Sequence, residues 1–292
     1  MSAGPVALNP EDWVGRGHRI EVRLHRETVE ALEASLDRPT PASEAPLAPL
    51  RHWLWLFAPP VTPNAGLGTD GHPARGALVP DWPLPRRMWA GSEIHFHAPL
   101  MPDAKVWRET RVESVQLKTG RSGQLGFVQL RHRWLQDQIC ALDDLQTVVY
   151  REASPKQDPS AVEAPRPAPP PASGPHADWS VTHRPDAVQL FRYSALTANA
   201  HRIHYDADYA RSVEGYPGCV VHGPLLATLM LDAFRDAHPK AQVRRFRFRA
   251  LAAAFEGAMV HCTGALRAAG QAQLSVQGQD GTVHLEGEAD FE

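Results

Sequence analysis

The 292-residue sequence predicts an α+β fold of two successive units, each an antiparallel sheet wrapped around a helix, with the first helix altered or shortened. Three observations predict it: both halves close in alternating segments, the second half holds one nearly all-apolar helical stretch, and an Ala/Pro-rich run divides the chain. With 43% hydrophobic and 22% charged residues there is material for a sizeable core.

In the first half, Arg26 to Leu36 reads as an amphipathic helix. Trp53 to Phe57 is poorer helix material, because a Pro/Gly-rich run to Pro85 follows it, and this is the altered central helix. Alternating segments then run Glu93–Ala98, Lys105–Lys118, Leu125–Leu135 and Ile139–Tyr150, separated by Met101-Pro102-Asp103 and the G-R-S-G of Gly120 to Gly123. Residues 153–178 are rich in Ala, Pro, Ser and Gly and can fill neither ladder nor helix, so they read as an extended linker between domains 1–152 and 179–292.

In the second half, Gly223-Pro224 opens L-L-A-T-L-M-L-D-A-F, a stretch of good helix formers ending near Ala237-His238-Pro239. Almost no polar face remains on it, which predicts burial. Strands follow over Arg245–Leu251, Met259–Ala268, Ala272–Gln277 and Thr282–Phe291, with turns at Glu256-Gly257, Ala269-Gly270 and Gln279-Asp280-Gly281. A long apolar helix wrapped by an antiparallel sheet is the hot-dog arrangement, so the chain as a whole predicts a double hot-dog.

A net charge of -3 and a pI near 6.6 provide no field for a polyanion, which argues against a nucleic-acid partner. Cys140, Cys219 and Cys262 are far apart and lack C-x-x-C spacing, which suits buried thiols in a reducing compartment rather than disulfides or structural zinc. No apolar run approaches the ~18 residues of a membrane span, and M-S-A-G-P-V lacks the basic and apolar regions of a signal peptide. The expectation is a cytoplasmic protein with no membrane partner.

The densest polar cluster in an ordered region is Phe191 to Tyr209, F-R-Y-S-A-L-T-A-N-A-H-R-I-H-Y-D-A-D-Y. It can supply a base that titrates near neutrality, His204, and an amide, Asn199, that orients water or a carbonyl without acting as a base. Downstream, Gly223 begins the apolar helix, where unpaired backbone N–H groups and the helix dipole favour a developing oxyanion. Base, water-holding group and oxyanion donor are what hydration of an enoyl thioester requires.

Tyr193, Arg202 and His222 are candidates for substrate contact, although His222 equally suits a loop-fixing role. His201 and His204 have H-x-x-H spacing, but no third ligand lies at suitable spacing, so no metal is expected. Arg245, Arg247 and Arg249 fit a solvated strand face better than a phosphate site, and His95 and His97 read the same way. Trp53, Trp55, Trp89, Trp107 and Trp134 read as packing residues.

The strings N-A-H-R-I-H-Y-D and E-G-Y-P-G-C-V-V-H-G-P-L-L-A resemble the (R)-specific enoyl-CoA hydratase, or MaoC-like, superfamily. Within it the chain is most similar to the branch of mitochondrial-type 3-hydroxyacyl-thioester dehydratases and mesaconyl-C4-CoA/itaconyl-CoA hydratases. The first half adds D-W-V-G-R at Asp12 to Arg16, L-P-R-R-M-W-A-G at Leu84 to Gly91, and G-R-S-G. The superfamily pattern is Asp-x-Asn-Pro-aliphatic-His; His204 keeps its place, while Asn199 stands where the family has aspartate.

The resemblance implies a hydro-lyase that hydrates mesaconyl-C4-CoA or itaconyl-CoA to citramalyl-CoA, with coenzyme A as part of the substrate and no separate cofactor. It assigns the oxyanion-binding N–H to Gly223 and a pocket-shaping, non-catalytic role to the first domain. A substrate carboxylate would need a cation, for which Arg86, Arg87, Arg192 and Arg202 are candidates. The rival readings are a 3-hydroxyacyl-ACP/CoA dehydratase of fatty-acid metabolism, a hot-dog thioesterase, for which Asp232 lies late on the helix, and a non-catalytic acyl-CoA-binding module. A monomer or a homodimer of double hot-dogs fits either way.

Overall fold

The computed structural model describes residues 9–58, 60–120, 123–152 and 177–292. The chain runs β1 (Gly17–Arg23), α1 (Arg26–Ser35), a 3-10 turn (Arg51–Trp55), β2 (Arg86–Phe96), β3 (Lys105–Gly120), β4 (Gly123–Gln136) and β5 (Ile139–Arg151). It resumes with β6 (Trp179–His183), α2 (Ala187–Thr197), α3 (Ala207–Ser212), α4 (Gly223–Ala237), β7 (Val243–Ala250), β8 (Val260–Ala268), β9 (Gln271–Gly278) and β10 (Val283–Phe291). Of the stretch read as a linker, residues 153–176 lie outside the described residues.

The two expected sheets are halves of one ten-stranded sheet, in the order β1-β3-β4-β5-β2-β7-β10-β9-β8-β6. This order reads the same from either edge, so the second unit repeats the first in reverse across an antiparallel β2–β7 junction, where Gly91 to His95 pair with Arg249 to Arg245. Each strand that sequence alternation would leave at a meander edge is therefore covered by its counterpart.

Alternation sets the faces. In β7, Phe246 and Phe248 are buried while Arg245, Arg247 and Arg249 point outward to Asp290, Glu288 and Glu286 at 2.7, 2.7 and 2.5 Å, the solvated face expected of them. On the inner side lies α4, buried from Pro224 to Phe234 without interruption. Cys219 and Cys262 are free thiols packed in the same core. No helix among the described residues is long and apolar enough to cross a membrane.

In the first unit the five-residue turn Arg51–Trp55 takes the place that α4 has in the second. Its two tryptophans fill space that a longer helix would occupy: Trp53 packs edge-on against Trp89 and Phe248, with ring centroids 5.0 and 6.0 Å apart. Arg51 is buried and donates to Glu33 of α1 at 2.7 and 3.1 Å and to Asp232 of α4 at 3.2 and 2.8 Å. Burial opposes its charge, but Asp232 and Glu33 outweigh that and hold it protonated. One side chain thus fastens α1, the turn and α4 together.

Candidate active site

The site forms where α2 ends. Ala198 closes that helix in the left-handed region (φ 52°), and the Asn199 N–H returns to the Ser194 carbonyl at 2.9 Å. The Asn199 side-chain oxygen then accepts the His201 N–H at 3.2 Å, an Asx turn that starts a 3-10 turn over Arg202–His204. Because an N–H can only donate, that oxygen is committed, which leaves the Asn199 amide NH2 as the donor it can offer.

His204 is held by the strand-like segment that leads into α4. Val220 N–H donates to the Ile203 carbonyl at 2.8 Å, and the Val220 carbonyl lies 2.8 Å from His204 Nδ1. A carbonyl can only accept, so Nδ1 carries the proton and Nε2 carries the lone pair. Burial pushes this imidazole down to about 4, against a smaller opposing effect of the Val220 hydrogen bond. His204 is therefore a neutral base at pH 7.

Two residues later the same segment delivers His222, which is fully buried and stacks on His204 with ring centroids 3.7 Å apart and planes at 19°. Its Nε2 lies 2.8 Å from Ser194 Oγ, and its Nδ1 has no protein partner among the described residues. Burial, then the neighbouring His204, keep it well below the usual histidine range. Tyr193 supports the stack from below, its ring 4.9 Å from that of His222; burial raises its phenol, against which a hydrogen bond to Thr228 of α4 works.

Gly223 follows as the first residue of α4, with no side chain capping the helix. Its first-turn N–H groups have no intrahelical acceptors. A Cβ built at Gly223 would meet nothing nearer than the Trp89 carbonyl at 3.8 Å, so the glycine keeps a gap open between β2 and the positive end of the helix.

The first unit covers the site through a loop that the sequence reading passed over as a Pro/Gly-rich run. Gly71 adopts φ +88°, and a Cβ there would lie 1.9 Å from the Ala200 carbonyl, so only glycine lets this loop seat on the Asn199 turn. The Asp70 carbonyl accepts the Arg202 N–H at 2.9 Å, and His72 sets its ring 4.4 Å from that of His201. His201 in turn meets His204 edge-on at 5.5 Å; burial and then the charges of His204, Arg87 and His222 press it to about 2.

Of the residues expected at the site, Asn199 stands at the turn that leads to His204, its side-chain oxygen on His201 N–H, and His204, His222, Gly223 and Tyr193 come together. Arg202 does not: it is half-exposed, paired with Asp206 at 2.7 Å and bonded to the Thr69 carbonyl at 3.2 Å. Its carboxylate partner four residues on outcompetes any role in the interior, so it clamps the covering loop instead. Among the described residues, no group of three or more His, Cys, Asp or Glu side chains is placed to hold a metal ion with His201 and His204. Sequence reasoning missed Ser194 and His72. The first stood inside the polar cluster but its partner His222 lies 28 positions on, and the second had no local signal, because 129 positions separate it from His201.

The corresponding end of the first unit is chemically different. Where α1 ends and the 3-10 turn begins, the Arg51–Glu33–Asp232 ion network borders a cavity of about 210 Å³ lined also by Arg26, Arg38 and Arg235. Asp232 is fully engaged there by Arg51 and by Arg235 at 2.8 Å, which takes it out of contention as a thioesterase acid.

Fold and site define a double hot-dog with one histidine-based centre, and solved structures of that form superpose along nearly the whole chain. HtdX of Mycobacterium tuberculosis matches with a TM-score of 0.68 at 19% identity, over 95% of this chain and 100% of that one. A MaoC-like dehydratase from Phytophthora capsici matches with a TM-score of 0.71 at 13% identity, over 98% and 99%.

Residues 51–256 match the family hydroxyacyl-thioester dehydratase type 2, and the chain belongs to that family of hydro-lyases. Among its relatives, the mesaconyl-C(4)-CoA hydratase of Chloroflexus aurantiacus is 39% identical, over 94% of each chain. The mitochondrial hydroxyacyl-thioester dehydratase type 2 of Schizosaccharomyces pombe is 29% identical, over 80% of this chain and 84% of its own.

Proposed function

We propose that this enzyme hydrates a short, carboxylated enoyl-CoA, with mesaconyl-C4-CoA as substrate and citramalyl-CoA as product. The observation that carries the reading is the neutral His204, its Nε2 lone pair free, beside the open N-terminus of α4 at Gly223. The likeness to the Chloroflexus hydratase supports the choice of substrate.

In the mechanism, the thioester oxygen accepts the Gly223 N–H, which stabilises the enolate as charge builds on that oxygen. Water is held between the Asn199 amide and His204 Nε2. His204 removes a proton as the water oxygen bonds to the β carbon, and the π electrons move onto the thioester carbonyl. The enolate collapses, the α carbon takes the proton from the His204 imidazolium on the same face, and the base is regenerated. Stacking on His222, itself fixed by Ser194, orients the base.

Trp53, Trp89 and Phe248 fill the interior next to Gly223, which favours a short acyl group over the long chains of a fatty-acid dehydratase. The test is hydration of mesaconyl-C4-CoA by wild type and His204→Ala. The variant is expected to fold with kcat lowered by about 10²- to 10⁴-fold; turnover within a few-fold of wild type removes His204 as the base.

A further inference from the structure

We infer that Arg87 is the residue that recognises the substrate carboxylate, and so sets the preference for carboxylated over uncharged enoyl thioesters. The inference rests on the hydratase reading above and adds the specificity residue to it.

The chemistry of the substrate says where a cation must stand. In mesaconyl-C4-CoA the carboxylate is bonded to the β carbon, the atom that water attacks. With the thioester oxygen at Gly223 and the attacking water at His204 Nε2, that carboxylate sits on the carbon that faces the His204 edge. Reacting atoms must approach to about 3–3.5 Å, so the cation has to reach this edge and not some distant part of the pocket.

Of the four arginines that could serve, three are committed elsewhere. Arg86 pairs with Glu214 at 3.3 Å and with its backbone carbonyl. Arg202 pairs with Asp206, and Arg192 is exposed on α2.

Arg87 differs in placement. It precedes Trp89 by two residues on β2, ahead of the bulge between Trp89 and Gly91, so both side chains leave the sheet on the same face. Trp89 shows which face that is: its ring packs on Trp53 in the main core, and its carbonyl borders Gly223. The pairing of β2 with β7 begins only at Gly91, so Arg86 to Ala90 are bonded to β5 alone and their other edge faces the gap before α4.

The surroundings leave Arg87 short of a counter-ion. It bonds the Tyr150 hydroxyl and feels Asp70 through space, but it makes no ion pair within 4.0 Å among the described residues. Burial consequently pulls its guanidinium below the ordinary range despite Tyr150 and Asp70, and its charge is felt at His201. A planar guanidinium of this kind gains most from a carboxylate that brings the missing charge in bidentate form.

The experiment compares kcat/KM for mesaconyl-C4-CoA and for crotonyl-CoA, which carries the same thioester without the carboxylate, in wild type, Arg87→Gln and Arg87→Lys. The expected result is a wild-type preference for the carboxylated substrate that falls by about 10²- to 10³-fold in Arg87→Gln, with Arg87→Lys in between. A loss shared equally by both substrates overturns the inference, since it would place Arg87 on the coenzyme or in the scaffold. If Arg87→Gln does not fold, the Arg87→Lys ratio decides: an unchanged preference overturns the inference. Wild type that turns over crotonyl-CoA better than mesaconyl-C4-CoA overturns it, and the proposed substrate with it, while leaving enoyl-thioester hydration by His204 intact. Wild type that hydrates neither brings down both.

Discussion

At the scale of residues, the site works by withholding charge. Four imidazoles, His72, His201, His204 and His222, pack ring against ring, and burial holds His201, His204 and His222 below the ordinary histidine range. The effect on catalysis has a definite sign. His204 accepts a proton only when neutral, and burial holds its folded value at about 4. Hydration kcat/KM is therefore expected to stay level as pH falls through 6.5 and to decline only as it nears 4; a decline centred near 6.5 in a pH–rate profile contradicts the buried geometry. Short pH jumps are needed, because the same depressed values favour the unfolded chain as pH drops from about 6.5 toward 4. His204 and Asn199 were legible in the sequence because they lie in one short polar cluster. His72, which packs on His201, was not distinguishable there from a loop histidine, since only tertiary contact sets it apart.

At the scale of elements, α4 was readable from its own apolar character, whereas its counterpart was read as defective helix and is in fact a 3-10 turn of five residues. What the turn lacks in length it makes up with the Arg51 network, three elements joined by one guanidinium. Removing that cation leaves buried Glu33 with Arg38 at 3.5 Å and Asp232 with Arg235 at 2.8 Å and Arg38 at 3.8 Å, which compensate only in part. Arg51→Met is expected to lose about 3 kcal/mol of stability in urea denaturation; a loss under about 1 kcal/mol would show the network to be no stronger than a surface pair. The short strands β1 and β6 and the helix α2 escaped sequence reading. β1 and β6 are brief or polar, and α2 carries large apolar residues on both its buried face (Leu190, Tyr193) and its exposed one (Val188, Phe191), so its inner face is defined only by what packs on it.

At the scale of the whole molecule, the alternating segments located eight of the ten strands but could not show that β2 and β7 zip two sheets into one. That junction is what makes the site composite: β2 brings Trp89 from the first unit to the helix start of the second. Duplication also leaves two candidate ends along α4, one at Gly223 with the histidines and one at Asp232 with the Arg51 network and its cavity. The first has the free helix N–H groups and the stacked His204–His222 pair. The most direct test is the crystal structure of the protein with a non-reactive saturated analogue of the substrate, methylsuccinyl-CoA. The account predicts the thioester oxygen within hydrogen-bond distance of Gly223 N, with the carbon that corresponds to the attacked position facing His204 Nε2. An acyl group seated instead at the Arg51 end, or turned away from His204, would contradict it.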